Sequence, residues 1–217
     1  MSSSIVRKFA MALSGFFLLF FLLQHMSINM LSVFSPDAFN EVSQFMGYNP
    51  VVQFALQPVL MFGVIFHLGM GIYLELQNRA ARPIKYGMNK GGANSTWMSR
   101  NMIITGIMIM LFLGLHLYDF WVHEMTVKYL EMQPENPTRY WGELHEKFHD
   151  PIRVGIYLVS FVFLALHLMH GFQSAFQSVG FSHNKYTPVI KKISTIYAIV
   201  VPLGFIFIAA YHFMTQS

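Results

Sequence analysis

Gly155-Ile-Tyr-Leu-Val-Ser-Phe-Val-Phe-Leu-Ala-Leu-His-Leu-Met-His-Gly-Phe-Gln-Ser-Ala-Phe176 is an apolar run of membrane length that carries two histidines, His167 and His170, in its second half. An ionisable side chain at such a depth is costly in hydrocarbon, which marks it as a functional candidate. Three more runs repeat the device, with His25, His67 and His116 each well inside the stretch and toward its far end. The apolar segments fall at about 9–33, 52–76, 102–121, 152–176 and 193–213, each reaching the roughly 20 residues that cross a bilayer. An all-α membrane protein of five transmembrane helices follows, built as a single domain over residues 1–217.

Composition agrees. Of 217 residues 54% are hydrophobic and 11% charged, where a soluble domain carries about 25% charged residues. Cysteine is absent, which excludes disulfides, thiolate zinc, iron–sulfur clusters and thiolate-bound haem within this chain. The first span follows Arg7 and Lys8 as a signal peptide would. It is too long for one, lacks a small-residue cleavage site and holds His25, so it reads as a retained helix.

Charge orients the spans. The N-terminus and the 77–101 and 177–192 loops carry ten Lys and Arg; the other side carries four, together with nine of the ten acids. Positive charge stays inside, so the N-terminus is expected in the cytoplasm and the C-terminus outside. Among the outer loops, 34–51 is short and 122–151 is the longest, with a surface helix expected at Glu124–Met132 before Pro134 and Pro137.

On this topology His25 and His116 come about 16 and 14 residues along outward-running helices, and His67 and His167 each about 15 residues along inward-running ones. His25 pairs with His116 in an outer layer and His67 with His167 in an inner layer, on the order of 10–15 Å apart. One tetrahedral zinc cannot gather ligands so spread, since each must lie about 2 Å from the metal. Two bis-histidine haems, stacked between the first four helices, satisfy the spacing. Gly71 and Gly171 lie one turn beyond His67 and His167, and Gly15, Gly63 and Gly114 supply further small positions beside a flat macrocycle. His170 competes with His167; the matched glycine spacing favours His167. His212 has no evident partner in the sequence. His145-Glu-Lys-Phe-His149 matches a zinc-protease pattern, but an outer loop of about 30 residues gives it neither a third ligand nor a cleft.

Leu23-Gln24-His25 with Asn29, Ile65-Phe66-His67 with Gly71, Thr105-Gly106 ahead of His116, and His167 with Gly171 and Ser174 together resemble the diheme cytochrome b membrane subunit of succinate dehydrogenase and fumarate reductase. The resemblance covers the first four helices, while the fifth matches only in position. It implies two b haems in a four-helix bundle, and a complex with a flavoprotein subunit and an iron–sulfur subunit docked on the basic cytoplasmic loops. It also implies electron exchange with a membrane quinone, commonly menaquinone, in a bacterial inner membrane. The dicarboxylate chemistry would lie on the flavoprotein. Members often carry a carboxylate near the outer start of the second helix, where this chain has Gln53 and Gln57.

Two haems in series place the quinone at the outer end, beside the His25–His116 layer. Quinone reduction consumes protons, so Asp119, Tyr118, Glu41 and Asp37 are the expected proton-handling candidates there. Arg100, Trp97 and Ser14 are the expected partners of the inner haem's propionates, Arg because its fork matches a carboxylate. Nothing in the sequence points to nucleic acid. Competing readings are the cytochrome b subunit of a hydrogenase or formate dehydrogenase, and a transporter with histidine proton relays. The transporter should show broken helices or inverted repeats, and the sequence has neither.

Overall fold

The computed structural model describes residues 4–80 and 100–215; Trp97 and most of the basic 77–101 loop lie outside the described residues. It is helical throughout, with α1 (Ser4–Phe34), α2 (Pro36–Tyr48), α3 (Val52–Ala80), α4 (Met102–Leu130), α5 (Arg139–Lys147), α6 (Pro151–Ser178) and α7 (Thr187–Met214). The five expected apolar helices are present as α1, α3, α4, α6 and α7, all long enough to cross a membrane. That is the architecture of a multi-pass membrane protein, in which backbone polar groups are satisfied within each helix.

Local sequence sets the boundaries. Ser35 is held extended before Pro36, ends α1 and caps α2 by accepting from Ala38 N at 3.2 Å. Asp150 caps α6 in the same way through Ile152 N at 2.9 Å, with Pro151 in the first turn. Gly180 stops α6 at a φ of 92°, a left-handed conformation that favours glycine, and Phe181 N then reaches back to Phe176 O at 3.0 Å.

The expected surface helix at Glu124–Met132 is not a separate element. No Gly or Pro interrupts the chain between His116 and Pro134, so helix continues through Leu130 as π-type turns at Leu117–Val122 and Thr126–Leu130. The loop helix forms later, as α5, where Trp141, Leu144, His145 and Phe148 recur at helical spacing and turn one face inward.

Contacts run in a ring: α1 against α3, α3 against α4, α4 against α6, and α6 back against α1. α7 packs outside that ring on α6 and α1, and the α6–α7 pairing is the most extensive in the molecule. The apolar core lies mainly there, around Tyr157, Phe161, Val201, Phe205 and Ile208, with Leu144 and Phe148 of α5 and Phe39 of α2 closing its end. Gly204 lets α1 approach, since a Cβ would stand 2.9 Å from Met26 Sδ. On α3, by contrast, no described residue is buried. α7 is therefore a packing element of the first rank, and α3 is held mainly along α1.

The α5 end is fastened by charge. Glu124 pairs with Lys128 at 2.5 Å and with Arg139, which also grips Glu143 at 2.7 Å, while Lys128 donates to Gly47 O at the end of α2. Burial disfavours the Arg139 charge, but Glu143 and Glu124 outweigh it and hold the guanidinium above its ordinary range. Burial, then the neighbouring Glu124, raises the Tyr140 phenol.

Candidate functional site

The four histidines sit on the four helices of the ring, one pair on each diagonal. His25 of α1 and His116 of α4 approach with ring centroids 5.7 Å apart and planes at 84°. That interval admits one metal ion bonded to a nitrogen of each ring, at about 2 Å per bond. Phe21, Phe112, Phe120 and Phe205 pack against the two imidazoles, with centroids between 5.2 and 5.8 Å. His116 Nδ1 is buried and, among the described residues, has no hydrogen-bond partner. Buried polar atoms are normally paired, so this nitrogen is open to a ligand.

The second diagonal joins His67 of α3 and His167 of α6, which lie within electrostatic reach of each other. Here the two sides repeat one device. Ser14 Oγ stands 3.0 Å from His67 Nδ1, and Thr105 Oγ1 stands 3.2 Å from His167 Nδ1. Each hydroxyl already donates its proton to a carbonyl three residues back, Ser14 to Met11 O at 2.8 Å and Thr105 to Met102 O at 2.9 Å. The oxygen can then only accept, so each imidazole carries its proton on Nδ1 and presents a bare Nε2 lone pair. That is the tautomer a metal-binding histidine uses, with its second nitrogen oriented by an acceptor.

Glycine follows each hydroxyl and brings the ring close. A Cβ on Gly15 would meet His67 Cε1 at 3.7 Å, and one on Gly106 would meet His167 Cε1 at 3.7 Å. Beside the other pair, a Cβ on Gly114 would meet nothing within 4 Å. The remaining expected glycines serve helix packing instead: Gly63 lies against the Phe17 ring, Gly71 against Met11 and Gly171 against Met102. One imidazole pair in ring contact, and a second pair tautomerically fixed on the other diagonal, could hold two bis-histidine metal groups. His170, also partly buried, has no such hydroxyl partner among the described residues.

The expected proton-handling residues are dispersed. Asp119 is 1% exposed and faces α6, accepting from Tyr157 Oη at 2.9 Å and pairing with Arg153 at 3.3 Å. Its Oδ1 is buried without a partner among the described residues. Tyr118 is exposed, and so are Asp37 and Glu41 on α2. Arg100 is exposed at the start of α4, and Ser14 is committed to Met11 and His67.

Sequence reasoning missed a pocket of about 300 Å³ between the first turns of α3 and the second half of α4, lined by Gln53, Phe54, Gln57, Trp121, Met125 and Tyr129 among others. Each π-type stretch among the described residues borders it: Val52–Leu56 through Gln53, Leu117–Val122 through Trp121, and Thr126–Leu130 through Tyr129. Such turns concentrate at functional sites. Tyr129 Oη donates to Gln53 Oε1 at 3.2 Å across its mouth.

The zinc-protease pattern lies on α5 and the turn after it. His145 Nδ1 is engaged by His212 at 3.1 Å, and no group of three or more His, Cys, Asp or Glu among the described residues could hold a metal ion. His212 is thus far from solitary: fully buried, it also meets Ser32 Oγ at 2.9 Å. Compared with known protein families, curated proteins and solved structures, the chain matches none.

Proposed function

We propose that the chain is a diheme cytochrome b, the membrane anchor subunit of a succinate dehydrogenase or fumarate reductase. The observation that carries the reading is the pairing of His25 with His116 and of His67 with His167 across the two diagonals of one helix ring. His25 and His116 would hold one b haem near the α5 end, and His67 and His167 a second nearer the opposite end. Haem b supplies a one-electron iron couple. The chain's own work is to offer imidazoles, fix two of them through Ser14 and Thr105, and shield the His25–His116 pair with Phe21, Phe112 and Phe205. The basic loops would face the cytoplasm, dock the iron–sulfur subunit with its flavoprotein, and set the complex in a bacterial inner membrane.

The quinone, a menaquinone by the resemblance, is placed at the α5 end. Its head group fits the pocket under Gln53, Gln57 and Tyr129, which offers two amides and a phenol on an apolar lining. Asp119, turned to α6, would serve that pocket only indirectly.

The deciding experiment is a reduced-minus-oxidised spectrum of the purified chain with a haem count per polypeptide. Two haems are expected. His25→Ala and His116→Ala should each lose the same one, and His67→Ala and His167→Ala the other. A chain without haem returns the reading to a proton-coupled transporter. Two haems retained in His167→Ala but not in His170→Ala would move the ligand on α6. The histidine pairs suit the cytochrome b of a hydrogenase or formate dehydrogenase as well; co-purification with a succinate-oxidising flavoprotein separates these.

A further inference from the structure

α5 lies across the end of the bundle above the His25–His116 pair. Phe148, just after it, packs on Tyr157 with centroids 5.2 Å apart, and Tyr157 packs in turn on His116. Beside the Arg139–Glu124 ion pair and the Glu143–His123 contact that tie α5 to α4, three polar contacts fasten the helix to α1, α2 and α7. Trp141 Nε1 donates to Ser32 O at 2.8 Å, Trp141 N donates to Asn40 Oδ1 at 2.8 Å, and His145 Nδ1 meets His212 Nδ1 at 3.1 Å. Only the last depends on protonation near neutral pH.

The protons of that pair can be assigned. Ser32 Oγ donates to Asn29 O at 2.6 Å, so toward His212 Nε2 at 2.9 Å it accepts. His212 therefore carries its proton on Nε2 and offers a bare Nδ1, and His145 donates to it from Nδ1. One added proton, on His145 Nε2, leaves this bond in place. A second can enter only at His212 Nδ1, where it sets N–H against N–H and turns attraction into repulsion between two cations.

Trp141 stacks on His145 with centroids 4.7 Å apart and so favours the first added proton there, but nothing comparable meets a second. His149 stacks edge-on to His145 at 5.1 Å, and Tyr211, Trp141 and Phe148 ring His212. Among the described residues no carboxylate forms an ion pair with either imidazole; Arg139 and Glu143 of α5 face Glu124 and His123 on α4. Burial first, then His149, holds His145 below its ordinary value.

We propose that His145 and His212 form a proton-operated latch, which holds α5 over the end of the bundle at neutral pH and releases it on acidification. The sign follows from the two states. A released imidazole protonates near its ordinary pKa of about 6.5, so the released pair takes up two added protons where the docked pair can take only one. Docking is thus fully favoured above about 6.5 and weakens as pH falls below it, by up to about tenfold per pH unit for each proton taken up. The latch rests on this hydrogen-bond geometry and not on haem binding. The diheme reading adds only that the released helix would uncover the outer haem and that the acidifying compartment is the outer one.

Amide hydrogen exchange of the purified full chain, corrected for intrinsic rates, tests it between pH 7.5 and 5.0. Protection of Arg139–Phe148 should fall at least about tenfold over that range while the middle of α6 stays protected. His145→Asn keeps a donor at the Nδ1 position but does not titrate, and should remove the pH dependence. Flat protection in the wild type, or the same dependence in His145→Asn, overturns the latch. Micromolar zinc restoring protection at pH 5.5 would make the pair a metal clasp and overturn it too. Should His145→Asn fail to assemble, 15N spectra of the wild type decide: His212 must be protonated on Nε2 and His145 on Nδ1, and the reverse overturns the proposal.

Discussion

The hydroxyl–glycine steps Ser14-Gly15 and Thr105-Gly106 show how little chemistry is needed to prepare a ligand. One hydroxyl whose proton is spent on its own helix becomes a pure acceptor, and that fixes which nitrogen of the facing imidazole is bare. Thr105→Val keeps the shape and removes the acceptor. On the diheme reading, a less basic His167 would then raise the midpoint potential of the proposed inner haem, on the order of tens of millivolts, with the haem count unchanged. Redox titration of the α-band checks this, and an unchanged potential would leave Thr105 as packing only. Asp119 invites the opposite expectation. Its charge is buried against Tyr157 and Arg153, so Asp119→Asn leaves Arg153 facing a neutral amide, and the cost of breaking such a pair is about 3–5 kcal/mol at full burial. Arg153 is 27% exposed, which places the effect at the low end, read as an earlier thermal unfolding midpoint.

Among the elements, α5 and α7 carry more than their sequences advertise. α5 is nine residues long and too short to persist alone in water, so it exists because Leu144 and Phe148 are buried against α6 and α7. Leu144→Ala should cost about 2–5 kcal/mol of local stability and free the 139–147 segment to limited proteolysis at neutral pH. If the segment stays resistant, the Trp141 and Arg139 contacts hold it without the apolar anchor. The spacing of the four ring histidines owes nothing to α7. Packing it on α6 and α1 brings His212 under α5 and creates the one histidine pair that no periodicity could have announced.

Taken whole, the molecule is a ring of four helices with a fifth packed outside it, and orientation is the property most open to a direct test. Because the chain has no cysteine, single replacements report without background. Asn136→Cys should react with an impermeant maleimide added to intact cells, and Ser182→Cys only after permeabilisation. The reversed pattern would invert the bundle and carry the pocket at Gln53 and Tyr129, α5 and the latch to the cytoplasmic side.

What the sequence determined by itself is whatever depends on counting along one helix. Five apolar runs of bilayer length give five spans, because hydrocarbon leaves an unbroken helix as the one economical conformation. Equal distances from helix entry likewise put His25 level with His116 and His67 level with His167. Tertiary structure decided what depends on rotation about the helix axes and on lateral neighbours. It turned Asp119 toward Arg153 when spacing alone left it free to face a quinone, and it set Ser14 against His67. It also joined the helix expected at Glu124–Met132 to the end of α4 and added a loop helix at Arg139–Lys147, and it gave His212 two partners more than 60 residues away in the chain. Depth is written in a one-dimensional period; direction needs the other helices in place.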